Sequence, residues 1–112
     1  MATLHISPEA SSDLVEIKEY ITIELENPTA ASNVISKIIK AIRGLEHFPD
    51  IGASLSSVID IPTDYRFLIT GNYLSFYRHE GDSVYVVRVL YGKRDYLKIL
   101  FGELTEQEPG KE

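Results

Sequence analysis

The stretch that decides the fold is 64-DYRFLITGNYLSFYRHEGDSVYVVRVLYGKRDY-96. It contains three runs rich in Tyr, Phe, Val, Ile and Leu, residue types that favour a pleated, half-buried surface. These runs cover residues 65–70, Tyr73–Glu80 and Ser83–Tyr91. Gly71-Asn72 and Gly81-Asp82 separate them, and such pairs are typical of tight hairpin turns, which need positive φ. The stretch therefore predicts three antiparallel strands connected in meander order.

Two amphipathic helices are predicted before this stretch. Ser7-Pro8-Glu9 is typical of a helix start, and Asn27-Pro28 ends the first helix and begins the second, because a residue before proline resists the α conformation. Apolar residues recur every three or four positions in both segments: Ala10, Leu14, Ile17, Ile21 and Leu25, then Ala31, Ile35, Ile38, Ile42 and Leu45. A connection this short predicts an antiparallel helical hairpin.

These elements together predict an α+β, two-layer domain of order β-α-α-β-β-β, with the meander sheet packed under the helical hairpin. A short strand at residues 3–7 opens it, and a short C-terminal helix within residues 93–102 closes it. We expect one domain over residues 1–102, with the second face of the sheet left open. Residues 103–112 form an acidic segment that we expect to fray.

The composition excludes several classes of protein. With 44% hydrophobic and 25% charged residues, the chain is typical of a globular protein. It has no cysteine, which excludes disulfides, thiolate metal sites and cysteine nucleophiles, and we expect no metal and no cofactor. No apolar run approaches the roughly 20 residues that span a bilayer, and the N-terminus lacks the features of a signal peptide. We therefore expect a cytoplasmic protein with no membrane partner.

The charge is distributed unevenly along the chain. The net charge is −6, yet residues 65–102 carry six Lys/Arg against three Asp/Glu. An acidic protein is poorly suited to tight non-specific binding of nucleic acid, whereas a basic sheet is a candidate surface for an anionic target. The cations of the decisive stretch are Arg66, Arg78, Arg88, Lys93 and Arg94.

Four residues near the end of this stretch are the candidate target-binding residues. Arg88 lies in a valine-rich run, where an arginine is either paired with a carboxylate or part of a site; in the paired case, the partner we expect is Asp64 or Asp95. Lys93, Arg94 and Tyr96 follow the last strand at the rim of the sheet, where exposed charges can meet a partner.

Four segments of the sequence resemble the RelE/ParE superfamily of type II toxin–antitoxin toxins, over about residues 3–101. They are SPEASSDLVEIKEYI from Ser7, LEHFPDIG from Leu45, YRFLITGNYLSFYR from Tyr65 and VYVVRVLYGKRDY from Val84. The resemblance implies a small bacterial toxin, of the kind linked to plasmid stabilisation, that inhibits growth. It also implies an antitoxin encoded beside it, with which it forms a hetero-oligomer.

The superfamily implies two activities, and the residues favour one. RelE-like members cleave mRNA on the ribosome without a metal, whereas ParE-like members poison DNA gyrase. Leu74 and Leu100 stand where the ribonucleases have Arg and Tyr. The sequence is therefore closer to the ParE-like branch, which implies an inhibitor of gyrase rather than an enzyme.

Two alternatives remain open. A RelE-like endoribonuclease would use Arg66, Arg88 and Arg94 as cations and Tyr91 or Tyr96 for proton transfer, although neutral tyrosine is a poor base near pH 7. An inactive member would retain only antitoxin binding. No antitoxin-binding residues are assigned. We expect the antitoxin to bind apolar surface beside the helical hairpin and along a sheet edge, by helix-in-groove docking or by strand addition. We also expect basic antitoxin residues against the acidic first helix.

Overall fold

The structure is a computed structural model that describes residues 1–102. The predicted tail, residues 103–112, lies outside the described residues. The elements in chain order are β1 (Thr3–Ile6), α1 (Pro8–Ile23), α2 (Pro28–Arg43), β2 (Ala53–Ser54), β3 (Arg66–Thr70), β4 (Tyr73–Glu80), β5 (Ser83–Tyr91) and α3 (Tyr96–Phe101). The α+β fold, the helical hairpin and the short C-terminal helix are confirmed.

Both long helices begin as the sequence predicts. The Ser7 Oγ accepts a hydrogen bond from the Ala10 N–H at 2.9 Å, and the Asn27 Oδ1 accepts one from the Ala30 N–H at 3.0 Å. Each cap satisfies a backbone donor that has no partner within its helix. A proline follows each cap, at a position where its missing N–H costs nothing.

The sheet has five strands in the order β1-β5-β4-β3-β2. The predicted meander is confirmed: β3, β4 and β5 pair antiparallel, and Gly71 and Gly81 take positive φ values of 58° and 61° in the turns. Two pairings were not predicted. β1 lies parallel to β5, and the two-residue β2 pairs with β3 from within the connector.

A β-bulge shifts the side chains of β5. Phe76 pairs with Arg88 while Tyr77 pairs with Val86, so Val87 is an additional residue in β5. Strict alternation would place Val84, Val86 and Leu90 together. Instead, Val89 joins the two valines under the helices and Leu90 packs in a separate cluster. Strict alternation therefore fails beyond Val86, because a bulge places two residues opposite one.

The sheet buries side chains on both of its faces. The first cluster lies under the helical hairpin and consists of Ala10, Ile38, Ile42, Leu45, Tyr77, Val84, Val86 and Val89. A second cluster contains Leu55, Phe76 and Leu90, and residues of the connector and of α3 pack against it. The expectation of an open second face was therefore wrong, because α3 carries enough apolar side chains to cover it.

Candidate functional site

A groove between α1 and the end of β5 is the candidate functional site. Its volume is about 460 Å³. We call it the α1–β5 groove, and it is lined by Asp13, Glu16, Ile17, Tyr20, Leu25, Asn72, Tyr73, Val89, Leu90, Tyr91 and Arg94. The groove forms because β1 ends at Ile6, opposite Val86, so that the second half of β5 has no neighbouring strand on that side.

Three tyrosines form the aromatic part of this groove. The rings of Tyr73 and Tyr91 have centroids 5.7 Å apart, and Tyr20 is 56% exposed on the α1 side. Burial, and then the nearby Tyr91 and Tyr20, raise the pKa of Tyr73. Tyr73 therefore stays a neutral hydroxyl at ordinary pH. These rings are suited to binding apolar side chains, with hydroxyl groups available for hydrogen bonds.

Arg88 is held by a buried carboxylate of α1. Its Nε and Nη2 donate hydrogen bonds to the two Asp13 carboxylate oxygens at 2.7 and 2.8 Å. The Asp13 residue is only 5% exposed. The pKa of Arg88 is raised, first by the hydrogen bond with Asp13, with burial opposing the effect. The predicted partners, Asp64 and Asp95, were wrong, because α1 rather than a loop lies over this part of β5.

Asp13 also completes the hydrogen bonding of β5. The Val89 N–H donates to the Asp13 Oδ2 at 2.9 Å. This N–H lies beyond the end of β1, where no strand is present to accept its hydrogen bond. A side chain of α1 therefore replaces a strand and satisfies a buried donor, as buried backbone groups require.

The other predicted cations of the sheet are divided into paired and free groups. Arg66 donates to the Gly52 carbonyl at 2.8 Å and lies 3.6 Å from the Asp50 carboxylate. Arg78 donates to both Asp64 carboxylate oxygens at 3.0–3.1 Å. Lys93 and Arg94 are exposed, and within residues 1–102 neither side chain has a hydrogen bond or a salt bridge.

The positive charge of the decisive stretch is thus mostly neutralised by carboxylates of the same protein. Three of its five cations have carboxylate partners. The other two, at the rim that follows β5, have no carboxylate partner within residues 1–102. Of these two, Arg94 lines the α1–β5 groove.

Comparison with known proteins places this arrangement in a family. Residues 4–96 match the family model described as the ParE toxin of the type II toxin–antitoxin system parDE. The chain belongs to the ParE toxin family. The resemblance to the ParE-like branch of the superfamily is therefore confirmed, and the chain is a toxin of the type II class.

A solved structure shares the fold of this ParE-family toxin. It is a chain from the chromosomal ParDE toxin–antitoxin system of P. aeruginosa, with a TM-score of 0.68 and 20% sequence identity. The match covers 81% of this chain and 96% of that chain. Comparison with curated proteins gave no sequence match.

The nuclease residues suggested by the sequence are not gathered into one site of the toxin. Tyr91 and Arg94 share the α1–β5 groove. Arg66 is held near Asp50, and the Tyr96 ring packs on Phe76 in the second cluster, with centroids 5.3 Å apart. The predicted roles of these residues stay predictions, but only two of the five lie together in the groove.

The two leucines that stand where ribonucleases of the superfamily have Arg and Tyr have structural roles. Leu74 and Leu100 both pack against the second cluster, around Phe76 and Leu90. Their apolar character therefore follows from the way α3 covers the second face of the sheet.

Sequence reasoning missed the residues that α1 contributes to the site. Asp13 lies three residues after Ala10 and four before Ile17, so it borders the apolar stripe of the helix. A carboxylate in such a position is rarely buried without a partner, and this signal could have linked it to the unusual Arg88. Tyr20 and Glu16 carried no comparable signal, because exposed residues of a helix give no indication of which loop they face.

The described residues show no metal centre and no membrane span. No group of three or more His, Asp or Glu within residues 1–102 is placed to hold a metal ion. No helix in the same part of the chain is long and apolar enough to cross a bilayer.

Proposed function

We propose that this ParE-family toxin is a cytoplasmic growth inhibitor that acts on DNA gyrase and does not itself cleave RNA. The observation that carries this proposal is the ion pair between Arg88 and Asp13, in which both carboxylate oxygens accept hydrogen bonds from the guanidinium at 2.7 and 2.8 Å.

Nuclease chemistry without a metal needs cations free to neutralise the phosphate in the transition state, together with a proton acceptor. The charge of Arg88 is already balanced by Asp13, and Arg66 is engaged with Asp50 and Gly52. Of the five nuclease candidates, only Arg94 and Tyr91 share the groove, which leaves one cation and one neutral tyrosine near each other. The geometry therefore favours binding over catalysis.

The target-binding surface that we propose begins at Lys93 and Arg94. Both side chains are exposed at the rim after β5, next to Tyr91, which is 38% exposed. Arg88 and Tyr96, which the sequence also suggested, contribute by holding the two ends of this rim in place: Arg88 through Asp13, and Tyr96 through its packing on Phe76.

We further propose that an antitoxin encoded beside the toxin gene holds the toxin inactive in a hetero-oligomer, as the ParDE name of the P. aeruginosa structure suggests. The α1–β5 groove is the surface that supports this proposal, because it exposes Tyr20, Leu25 and Tyr91 to solvent. Exposed apolar surface of this kind is typical of interaction sites.

The experiment is a gyrase supercoiling assay run beside a ribosome-dependent mRNA cleavage assay, both with purified toxin. We expect inhibition of supercoiling and no cleavage. Lys93→Ala with Arg94→Ala should reduce the inhibition, whereas Lys98→Ala, an exposed lysine on α3, serves as the matched control. Cleavage of mRNA with supercoiling unaffected would refute the proposal, and absence of both activities would leave the chain as an antitoxin-binding module.

A further inference from the structure

The α1–β5 groove carries opposite charges on its two sides. Glu16 lines the groove from α1 and Arg94 lines it from the segment after β5, and aromatic and aliphatic side chains form much of the remaining lining. We propose that the groove recognises its partner segment by two charges: a Lys or Arg that pairs with Glu16, and an Asp or Glu that pairs with Arg94. This inference rests on the proposed function, because the partner segment is taken to belong to the antitoxin.

Glu16 is the available carboxylate of the α1 wall. Its side chain is exposed, and within residues 1–102 it makes no hydrogen bond and no salt bridge. Its neighbour Asp13 is buried, and its two oxygens already accept three hydrogen bonds from Arg88 and Val89. A basic side chain that enters the groove therefore meets Glu16 as its counter-ion.

Arg94 is the available cation of the opposite wall. The arginines within the sheet are neutralised by the protein itself: Arg66 by Asp50, Arg78 by Asp64 and Arg88 by Asp13. Arg94 has no such carboxylate among the described residues. An arginine can bind a carboxylate through two parallel hydrogen bonds, so this wall is suited to an acidic side chain of the partner.

The groove that contains the two charges is also lined by exposed apolar side chains. Leu25 is 58% exposed and Tyr20 is 56% exposed, although both line the groove. Tyrosine rings bind aliphatic side chains and also the apolar stem of a lysine or arginine. An apolar anchor of the partner is therefore expected between the two charged residues, as in other segments that bind grooves through one face.

Two opposite charges also fix the direction of the bound segment. A segment in the reverse direction would place its basic residue against Arg94 and its acidic residue against Glu16. Like charges in contact oppose binding, so this arrangement selects among partners as well as among orientations.

The test measures the affinity of the toxin for the antitoxin encoded by the adjacent gene, by isothermal titration calorimetry. The groove variants are Glu16→Lys and Arg94→Glu. The matched controls are Glu19→Lys and Lys98→Glu, which make the same charge changes at exposed positions outside the groove lining. We expect each groove variant to weaken binding by about tenfold or more, and each control by less than about threefold.

A charge-swap experiment identifies the partner residues. Each basic residue of the antitoxin is changed to Glu and tested against Glu16→Lys, and each acidic residue is changed to Lys and tested against Arg94→Glu. We expect one antitoxin variant of each kind to restore at least part of the lost affinity, since a restored pair shows coupling between two positions.

The outcomes separate this inference from the proposed function. If the antitoxin binds tightly but groove and control variants weaken binding equally, only general electrostatics acts and the inference is wrong. Self-association of the free toxin that Glu16→Lys or Arg94→Glu abolishes would assign the groove to a second copy, and would also overturn it. If the product of the adjacent gene does not bind the wild-type chain, both the inference and the antitoxin proposal fail.

Discussion

At the scale of single residues, Asp13 is the side chain with the most consequences. It is buried in α1, and it bonds to one guanidinium and one backbone N–H of β5. Transferring charges from water into a protein is unfavourable, so such a pair adds little net stability. Removing one member is nevertheless harmful, because the other charge is left without a partner.

We predict that Asp13→Ala lowers the free energy of unfolding by about 3 kcal/mol, at the lower end of the range for a broken buried pair because Arg88 keeps some contact with solvent. The Val89 N–H also loses its acceptor. Urea denaturation measures the change. Asp64→Ala, which removes the exposed partner of Arg78, is the control and should lower stability by about 1 kcal/mol or less. Equal losses in the two variants would contradict the structural role of Asp13.

Gly52 is a second residue on which the packing depends. Its N–H donates to the buried Tyr77 hydroxyl at 2.9 Å. A Cβ atom at this position would lie 2.7 Å from both the Phe67 carbonyl oxygen and the Tyr77 hydroxyl oxygen. There is no space for a side chain, because one obstacle is backbone and the other is a buried ring.

We predict that Gly52→Ala destabilises the protein by about 2 kcal/mol, through displacement of Tyr77 or of the backbone of β3. Gly44→Ala is the control, because a Cβ at Gly44 meets no atom within 4 Å and its φ of −60° suits alanine. Thermal unfolding of the two variants measures the difference. A Gly52→Ala protein as stable as Gly44→Ala would show that this contact is not tight in solution.

At the scale of the elements, Ser7 joins the first helix to the sheet. Its Oγ accepts from the Ala10 N–H and donates to the Val87 carbonyl at 2.8 Å, while its N–H donates to the Val86 carbonyl at 3.0 Å. One residue therefore caps α1 and also fixes the start of this helix against β5. This position brings Asp13 to Arg88 about one and a half turns later.

We predict that Ser7→Ala costs about 2 kcal/mol, the upper end of the range for removing a helix cap, because the Val87 carbonyl also loses its donor. Asn27→Ala is the comparison, since Asn27 caps α2 at an exposed position and should cost about 1 kcal/mol. Chemical denaturation of both variants tests the ranking. The prediction fails if the loss in Ser7→Ala is the smaller one.

At the scale of the whole molecule, one sheet separates two clusters of buried side chains. The helical hairpin covers the first, and α3 with the connector covers the second. The rim that carries Lys93 and Arg94 lies between β5 and α3, so both of its ends are anchored. We infer that the candidate target-binding residues keep their positions because α3 packs on the sheet.

We predict that Tyr96→Ala lowers the free energy of unfolding by about 2 kcal/mol, because its ring packs on the buried Phe76 but is itself only half-buried. The variant should also speed hydrogen exchange in residues 92–102. Lys98→Ala, at an exposed position in the same helix, should change neither quantity. Unchanged exchange in Tyr96→Ala would show that α3 does not depend on this contact.

The local pattern of the sequence predicted the three meander strands, both long helices and their caps, since each depends on neighbouring residues. It did not predict β2, because two residues have no detectable period, nor the bulge, because the extra residue in β5 depends on its pairing with β4. The same local pattern did not show that α3 covers the second face of the sheet. Leu74 and Leu100 were recognised only as apolar residues at positions where ribonucleases of the superfamily have polar ones, whereas in the structure both pack against the second cluster.

The sequence by itself determined the two long helices, the three meander strands and their order, because periodicity, turn residues and caps are local properties. The ParE-like branch followed from the resemblance of its segments to that family. Only the tertiary structure decided what the charges of the basic stretch do. Arg88 meets Asp13 across 75 positions of the chain, and no local pattern specifies such a contact. The packing of α1 on β5 places the two charges together, and the same packing puts Glu16 and Arg94 in the lining of one groove.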